Sequence, residues 1–171
     1  MYKKISLTLF LVILIISKIY SAEITWGELK LIAENTKINN SMYLTKNTWN
    51  KKYYSPIIDT EIKRKYHTII DKNSRLNPNF DGKYRIIEFG FGSNAQYFFI
   101  IDLNSGVVYE GKESSFGIKY SIDSSLIIIN PIENMDWGND NEIVPSYSST
   151  VYINWDGQNF NTLIILNELK N

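Results

Sequence analysis

Few side chains in this 171-residue sequence are suited to chemistry, and their types narrow the choice at once. There is one histidine, His67, and no cysteine. Thiol catalysis, disulfides and thiolate metal sites are excluded, and so is a zinc site of three or four nitrogen and sulfur ligands. A Ser-His-Asp arrangement would have to use His67, and no Gly-x-Ser-x-Gly elbow presents a serine to it. A lone helical histidine beside an apolar stripe reads as an ordinary boundary residue. No catalytic residue, cofactor or metal site is assigned.

Carboxylates remain. Glu88 lies among apolar residues in a strand pattern, where burial would raise its pKa. Glycoside hydrolysis needs two acids at a set separation across a groove. Glu88 with Asp102 or Asp123 would supply such a pair, although no spacing demands it. The segment Asn134-Met135-Asp136-Trp137-Gly138-Asn139-Asp140-Asn141-Glu142 alternates oxygen-bearing residues around a glycine, as calcium loops do, but out of register with D-x-[DN]-x-[DN]-G-x₅-E. Its acids read as a solvated surface. Trp137 is less ordinary there: it either anchors the loop or meets a partner. The binding residues expected on this ground are Asp136, Trp137, Asp140 and Glu142.

The elements that must position these residues fall into two patterns. Residues 22–79 read as helical or irregular. Thr25-Trp26-Gly27-Glu28 has the form of a capping box, and Leu29, Ile32 and Ala33 follow on one face, which predicts a helix over about 26–34. Ile58, Ile62, Tyr66 and Ile69 or Ile70 share a second helical face. Residues 80–171 read as strands joined by tight turns. Alternation predicts strands over Lys83–Phe91, Gln96–Leu103, Val107–Tyr109, Gly117–Ser121, Leu126–Asn130, Thr150–Trp155 and Phe160–Leu166. Asp156-Gly157 is the strongest hairpin signal among the turns. Tyr53, Tyr54, Tyr109, Tyr120, Tyr147 and Tyr152 fit half-buried strand positions for the most part. The longest connection is Pro131–Pro145. The fold class expected is α+β: a mostly antiparallel meander of six or seven strands preceded by one or two helices.

The first 21 residues read differently. Met1-Tyr2-Lys3-Lys4 is a short basic start, Ile5–Ile16 is almost wholly apolar, and Ser17–Ala22 turns polar and small. That pattern is a secretory signal peptide, with a cut before Ala22. The apolar run of 12 residues is shorter than the roughly 20 needed to cross a bilayer as a helix. Loss of Lys3, Lys4 and Lys18 leaves 15 basic against 18 acidic residues, a net charge of −3. By net charge the remaining chain is neither a nucleic-acid binder nor a polybasic membrane-surface protein. After cleavage no stable membrane insertion is expected.

Several turn and strand signatures resemble a family of small, exported, functionally uncharacterised bacterial proteins. Those show Asn-Phe-Ala-Gly-x-Tyr, Trp-Gly-Cys-Gly-Thr-x-Cys, an Asp-x-x-Thr-Gly turn, an Asp-Ser-x-Leu-Leu-Ile stretch and a late Tyr-x-Trp. The counterparts here are Asn79–Tyr84, Phe89–Ala95, Asp102–Gly106, Asp123–Ile128 and Tyr152–Trp155. Phe91 and Ala95 stand where the family has cysteines, which fits loss of one structural cross-link. The resemblance implies a fold and export and carries no activity.

Two functions follow as expectations. The first is a periplasmic or secreted cell-envelope protein that binds a protein partner, as an inhibitor or immunity protein does. The second is a glycan-directed hydrolase using Glu88 and a second acid.

Overall fold

The computed structural model describes residues 23–90, 95–135 and 138–169. The expected signal segment lies outside the described residues, as do Asp136 and Trp137. Helix α1 spans Trp26–Asn35 and begins as its sequence dictates. The Glu28 backbone N–H donates to Thr25 Oγ1 at 3.3 Å, and the Thr25 N–H donates to Glu28 Oε2 at 2.9 Å. The second apolar stripe does not form one helix. It divides into α2 (Glu61–Lys65) and α3 (His67–Ser74), because Tyr66 leaves helical geometry at φ −106° and ψ 17°. Its ring lies against Phe89 and Phe99, with centroids 4.2 and 6.2 Å away.

The class is α+β, with seven strands among the described residues. They form two sheets, not a single meander. Strands β1 (Tyr84–Gly90), β2 (Gln96–Asp102) and β3 (Val108–Glu110) pair antiparallel in chain order. So do β4 (Ile118–Ser121), β5 (Ser124–Ile129), β6 (Val151–Trp155) and β7 (Phe160–Ile165). The chain changes sheets between Glu110 and Ile118.

Side-chain alternation explains the layering, since successive strand residues face opposite sides. Tyr84, Ile86, Phe98 and Ile100 of the first sheet meet Ile118, Ile127, Ile129, Ile153 and Trp155 of the second in a buried core. The opposite face of the first sheet, Ile87, Phe99, Ile101 and Val108, is covered by Ile70 of α3, with Trp49, Ile58, Ile62 and Tyr66 packed around it. The opposite face of the second sheet, with Tyr152 and Ile164, is covered by Trp26 and Leu29 of α1. The layer order is therefore α2 and α3, three strands, four strands, α1. Both faces of β2 are covered, which is why Tyr97–Ile101 reads as an unbroken apolar run.

Candidate functional site

The Pro131–Pro145 connection is long for its place in a compact fold, and such loops are usually functional. It is not loose. Met135 and Val144 are buried in the α1 core, and Val144 N–H donates to Ile24 O at 2.8 Å. The first N–H groups of a helix have no partner within it. Here the loop supplies two: Trp26 N–H donates to Glu142 O and Gly27 N–H to Asp140 O, each at 3.0 Å. The Asp140 carboxylate pairs with Lys30, close to the positive end of the α1 dipole. It is still 67% exposed. Gly138 makes room for this seat: a Cβ there would lie 2.6 Å from Trp26 Nε1 and 2.7 Å from Glu142 Oε2, so these side chains would have to shift. Of the expected binding residues, Asp140 and Glu142 thus sit together, both exposed, on a loop seated against α1. Asp136 and Trp137 precede them, outside the described residues.

A second feature was not foreseen. A polar cleft of about 560 Å³ is lined by Asn47, Lys83, Tyr84, Asp102, Tyr109 and the Asp156–Asn159 turn. Strand register builds it, since Tyr84 stands opposite Asp102 across β1 and β2. Lys83 Nζ bonds Asp102 Oδ2 at 2.9 Å, and the Asn104 N–H donates to Asp102 Oδ1 at 2.8 Å. Burial works against the Lys83 ammonium, but the Asp102 carboxylate outweighs it and the Lys83 pKa rises. Burial raises the Tyr84 pKa. Asp156 is held down to about 2 by Asn161 and by the Asn159 and Gln158 backbone N–H groups. Four donors reach its two oxygens, which fills its acceptor capacity. Its carboxylate therefore serves the turn. Two turn signatures in the sequence, Asp102–Gly106 and Asp156-Gly157, supply acids or turn residues to this lining, but nothing local in the sequence shows that they share a cleft.

Neither acid expected to pair with Glu88 stands beside it. Glu88 faces the inter-sheet side of β1 and is exposed in area, yet its carboxylate is packed closely enough that desolvation raises its pKa. The Ile118 N–H, 3.3 Å from Oε2, and the Tyr120 hydroxyl oppose that rise. Glu88 stands opposite Phe98, four residues along β1 from the Tyr84–Asp102 pair. That separates Glu88 from Asp102 by roughly 13 Å along the strand, beyond the ~5–9.5 Å that either hydrolytic mechanism uses. Asp123 is in the turn at the far end of β4 from Ile118. His67 opens α3, and its Nδ1 lies 2.9 Å from Arg64 O on an exposed surface. Among the described residues no three His, Asp or Glu side chains gather to hold a metal ion. Nor is any helix among them long and apolar enough to cross a membrane.

Compared with protein-family models, curated proteins and solved structures, the chain finds no match in any of the three.

Proposed function

We propose that this chain is an exported protein of the cell envelope, periplasmic or secreted, that acts as a protein-binding module of the inhibitor or immunity type. It presents the Pro131–Pro145 loop to a basic partner. One observation carries this reading: three backbone hydrogen bonds tie residues 140–144 to residues 24–27 at the start of α1 while Asp140 and Glu142 stay exposed. A loop ordered before it meets its partner avoids the entropy cost of ordering on binding. The surrounding sequence has the matching charge. Residues 80–171 carry 12 acidic against 5 basic side chains. Such a field speeds encounter with a basic surface, and salt weakens the effect. Trp137 adds buried contact area at low entropic cost. The signal-like first 21 residues and the resemblance to small exported proteins supply the compartment.

The test is capture of a partner from envelope extract, with wild-type chain and the Asp140→Lys and Trp137→Ala variants as bait. Expected is a partner retained at low salt, released by high salt and lost with either variant, while the melting temperature of each variant stays near wild type. If Trp137→Ala melts several degrees lower and still captures the same partner, the tryptophan is an anchor and the loop is not the contact surface.

A further inference from the structure

The net charge of −3 conceals a division of charge. Residues 22–79 hold 10 basic and 6 acidic side chains, the reverse of the balance beyond them. The excess is concentrated in residues 45–75, with 8 basic against 3 acidic, the segment that covers the outer face of the three-stranded sheet. Two of those acids are already bound, Asp59 to Lys63 at 2.6 Å and Asp71 to Arg75 at 3.0 Å. Lys51, Lys52 and Lys72 are exposed.

Lys51 also has an unusual backbone. Its φ is +60°, in the left-handed region that favours glycine or asparagine. The tip around it is firmly tied. Asn50 N–H donates to Asn104 Oδ1 and Lys52 N–H to Asn50 Oδ1, each at 2.9 Å, and Asn104 Nδ2 donates to Thr48 O at 2.8 Å. A long cationic side chain at a strained, pinned tip is the kind of outlier that points to use of the side chain itself. Beside it, Tyr53 Oη donates to Asp71 Oδ1 at 3.2 Å, and the Arg75 guanidinium lies 4.5 Å from the Tyr53 ring centroid. Tyr53, and Leu76 next to Arg75 in the chain, remain 46% and 43% exposed.

We propose that this face, with Lys51, Lys52 and Lys72 as its cations around Tyr53, Leu76 and the Arg75–Asp71 ion pair, docks the protein onto an anionic phospholipid surface. Clustered cations are drawn to anionic headgroups, and tyrosine and leucine among them enter the interfacial layer. A nucleic acid fits less well, because Arg75 already covers one face of the Tyr53 ring, on which a base would stack. The layer order places the Pro131–Pro145 loop on the far side of the two sheets, so docking leaves that loop open. The proposal does not rest on the loop's role.

The test is co-sedimentation with vesicles of phosphatidylglycerol and phosphatidylcholine, against pure phosphatidylcholine vesicles. The chain is used as recovered from cells, with its N-terminus read by mass spectrometry, so that wild type and variants are compared in one form. Lys51→Gly separates the two costs at that position. It relieves the left-handed strain, so the melting temperature holds or rises, and it removes one cation, so vesicle affinity falls about fivefold. Joint replacement of Lys51, Lys52 and Lys72 by Glu abolishes sedimentation with anionic vesicles without unfolding the protein. High salt releases the wild type. The proposal is overturned if wild type ignores anionic vesicles, if it binds the neutral ones equally, if Lys51→Gly binds as wild type does, or if a single-stranded oligonucleotide outcompetes the vesicles.

Discussion

Two Asp-Gly dipeptides, Asp81-Gly82 and Asp156-Gly157, turn the chain near one cleft, and their carboxylates live under opposite conditions. Asp156 is exposed, and four neutral donors hold its pKa at about 2. Asp81 is 2% exposed, with one oxygen bonded by Asn47 Nδ2 at 2.7 Å. Burial raises its pKa and outweighs the Thr45 and Asn47 side chains and the Lys83 charge, which act to lower it. Both glycines take positive φ, +70° and +102°. The dipeptide fixes the turn in both places. What packs over the turn decides whether its acid stabilises the fold or burdens it.

The largest way to break this comparison is at Gly82. A Cβ there would lie 2.2 Å from Asn47 O, a backbone atom that cannot swing aside. The turn is also pinned by Gly82 N–H to Ile122 O at 2.8 Å. Gly82→Ala should cost about 3 kcal/mol or more, through left-handed strain and the clash together. That is a fall of roughly 6–12 °C in melting temperature for a chain of this size. A variant melting within a degree of wild type would show that the Asn47 segment yields.

Gly157 sharpens the contrast from the exposed side. Its Cβ would meet only Tyr84 Oη, at 3.1 Å, the end of a side chain. Gly157→Val should therefore cost roughly 1–2 kcal/mol, nearly all of it backbone strain. If thermal unfolding shows a loss as large as that of Gly82→Ala, the tyrosine is as rigid as the backbone and the distinction fails.

The third difference has the opposite sign. A folded pKa raised above the unfolded one means that Asp81 contributes fully below its ordinary value of 3.8 and loses that contribution as pH rises through the folded pKa. At neutral pH the buried carboxylate is a burden. Asp81→Asn removes the charge, keeps an acceptor for Asn47 and tolerates the left-handed φ of +39°. It should raise stability at pH 7 by about 1 kcal/mol, and the gain should shrink toward pH 3. Melting curves at the two pH values decide it. A loss at pH 7 would mean that the charge is compensated.

Much of the frame was legible in the sequence, and the reasons differ by region. The Thr25–Glu28 capping box and the period-two strands are local signals, and they stand where they were expected. The Asp156 hairpin does too, although its loop has four residues between Trp155 and Phe160. The division into two sheets was not legible, because alternation tells which residues face a core but not which strands share hydrogen bonds. The break at Tyr66 was hidden for a similar reason. The apolar stripe continues through it, and the ring packing that interrupts the helix is tertiary. For the site, length and charge pointed to the Pro131–Pro145 loop. Its use of Asp140 and Glu142 carbonyls to cap α1 depends on contacts more than 110 residues apart in sequence. The basic face was masked by a net charge that sums two opposite halves.

The smallest expected effect lies at Asp156, and it tests whether exposure alone makes an acid dispensable. Its carboxylate accepts from the Gln158 and Asn159 backbone N–H groups through Oδ1, and from the Asn159 and Asn161 side-chain amides through Oδ2. Asp156→Asn keeps one oxygen for the backbone pair and turns the other position into a donor facing donors. The turn survives and the side-chain half of the cluster is lost. At pH 7 the melting temperature should fall by only about 1–2 °C, as surface changes do. The pH dependence carries the argument. A pKa lowered to about 2 from 3.8 gives stability that is present above the unfolded value and lost as pH falls through the folded one. The difference between wild type and Asp156→Asn should therefore close between pH 4 and pH 2, while that between wild type and Asp81→Asn closes from the other direction. A gap at Asp156 that persists unchanged at pH 2 would mean that its hydrogen bonds do not depend on its charge, and that the two acids differ in burial alone.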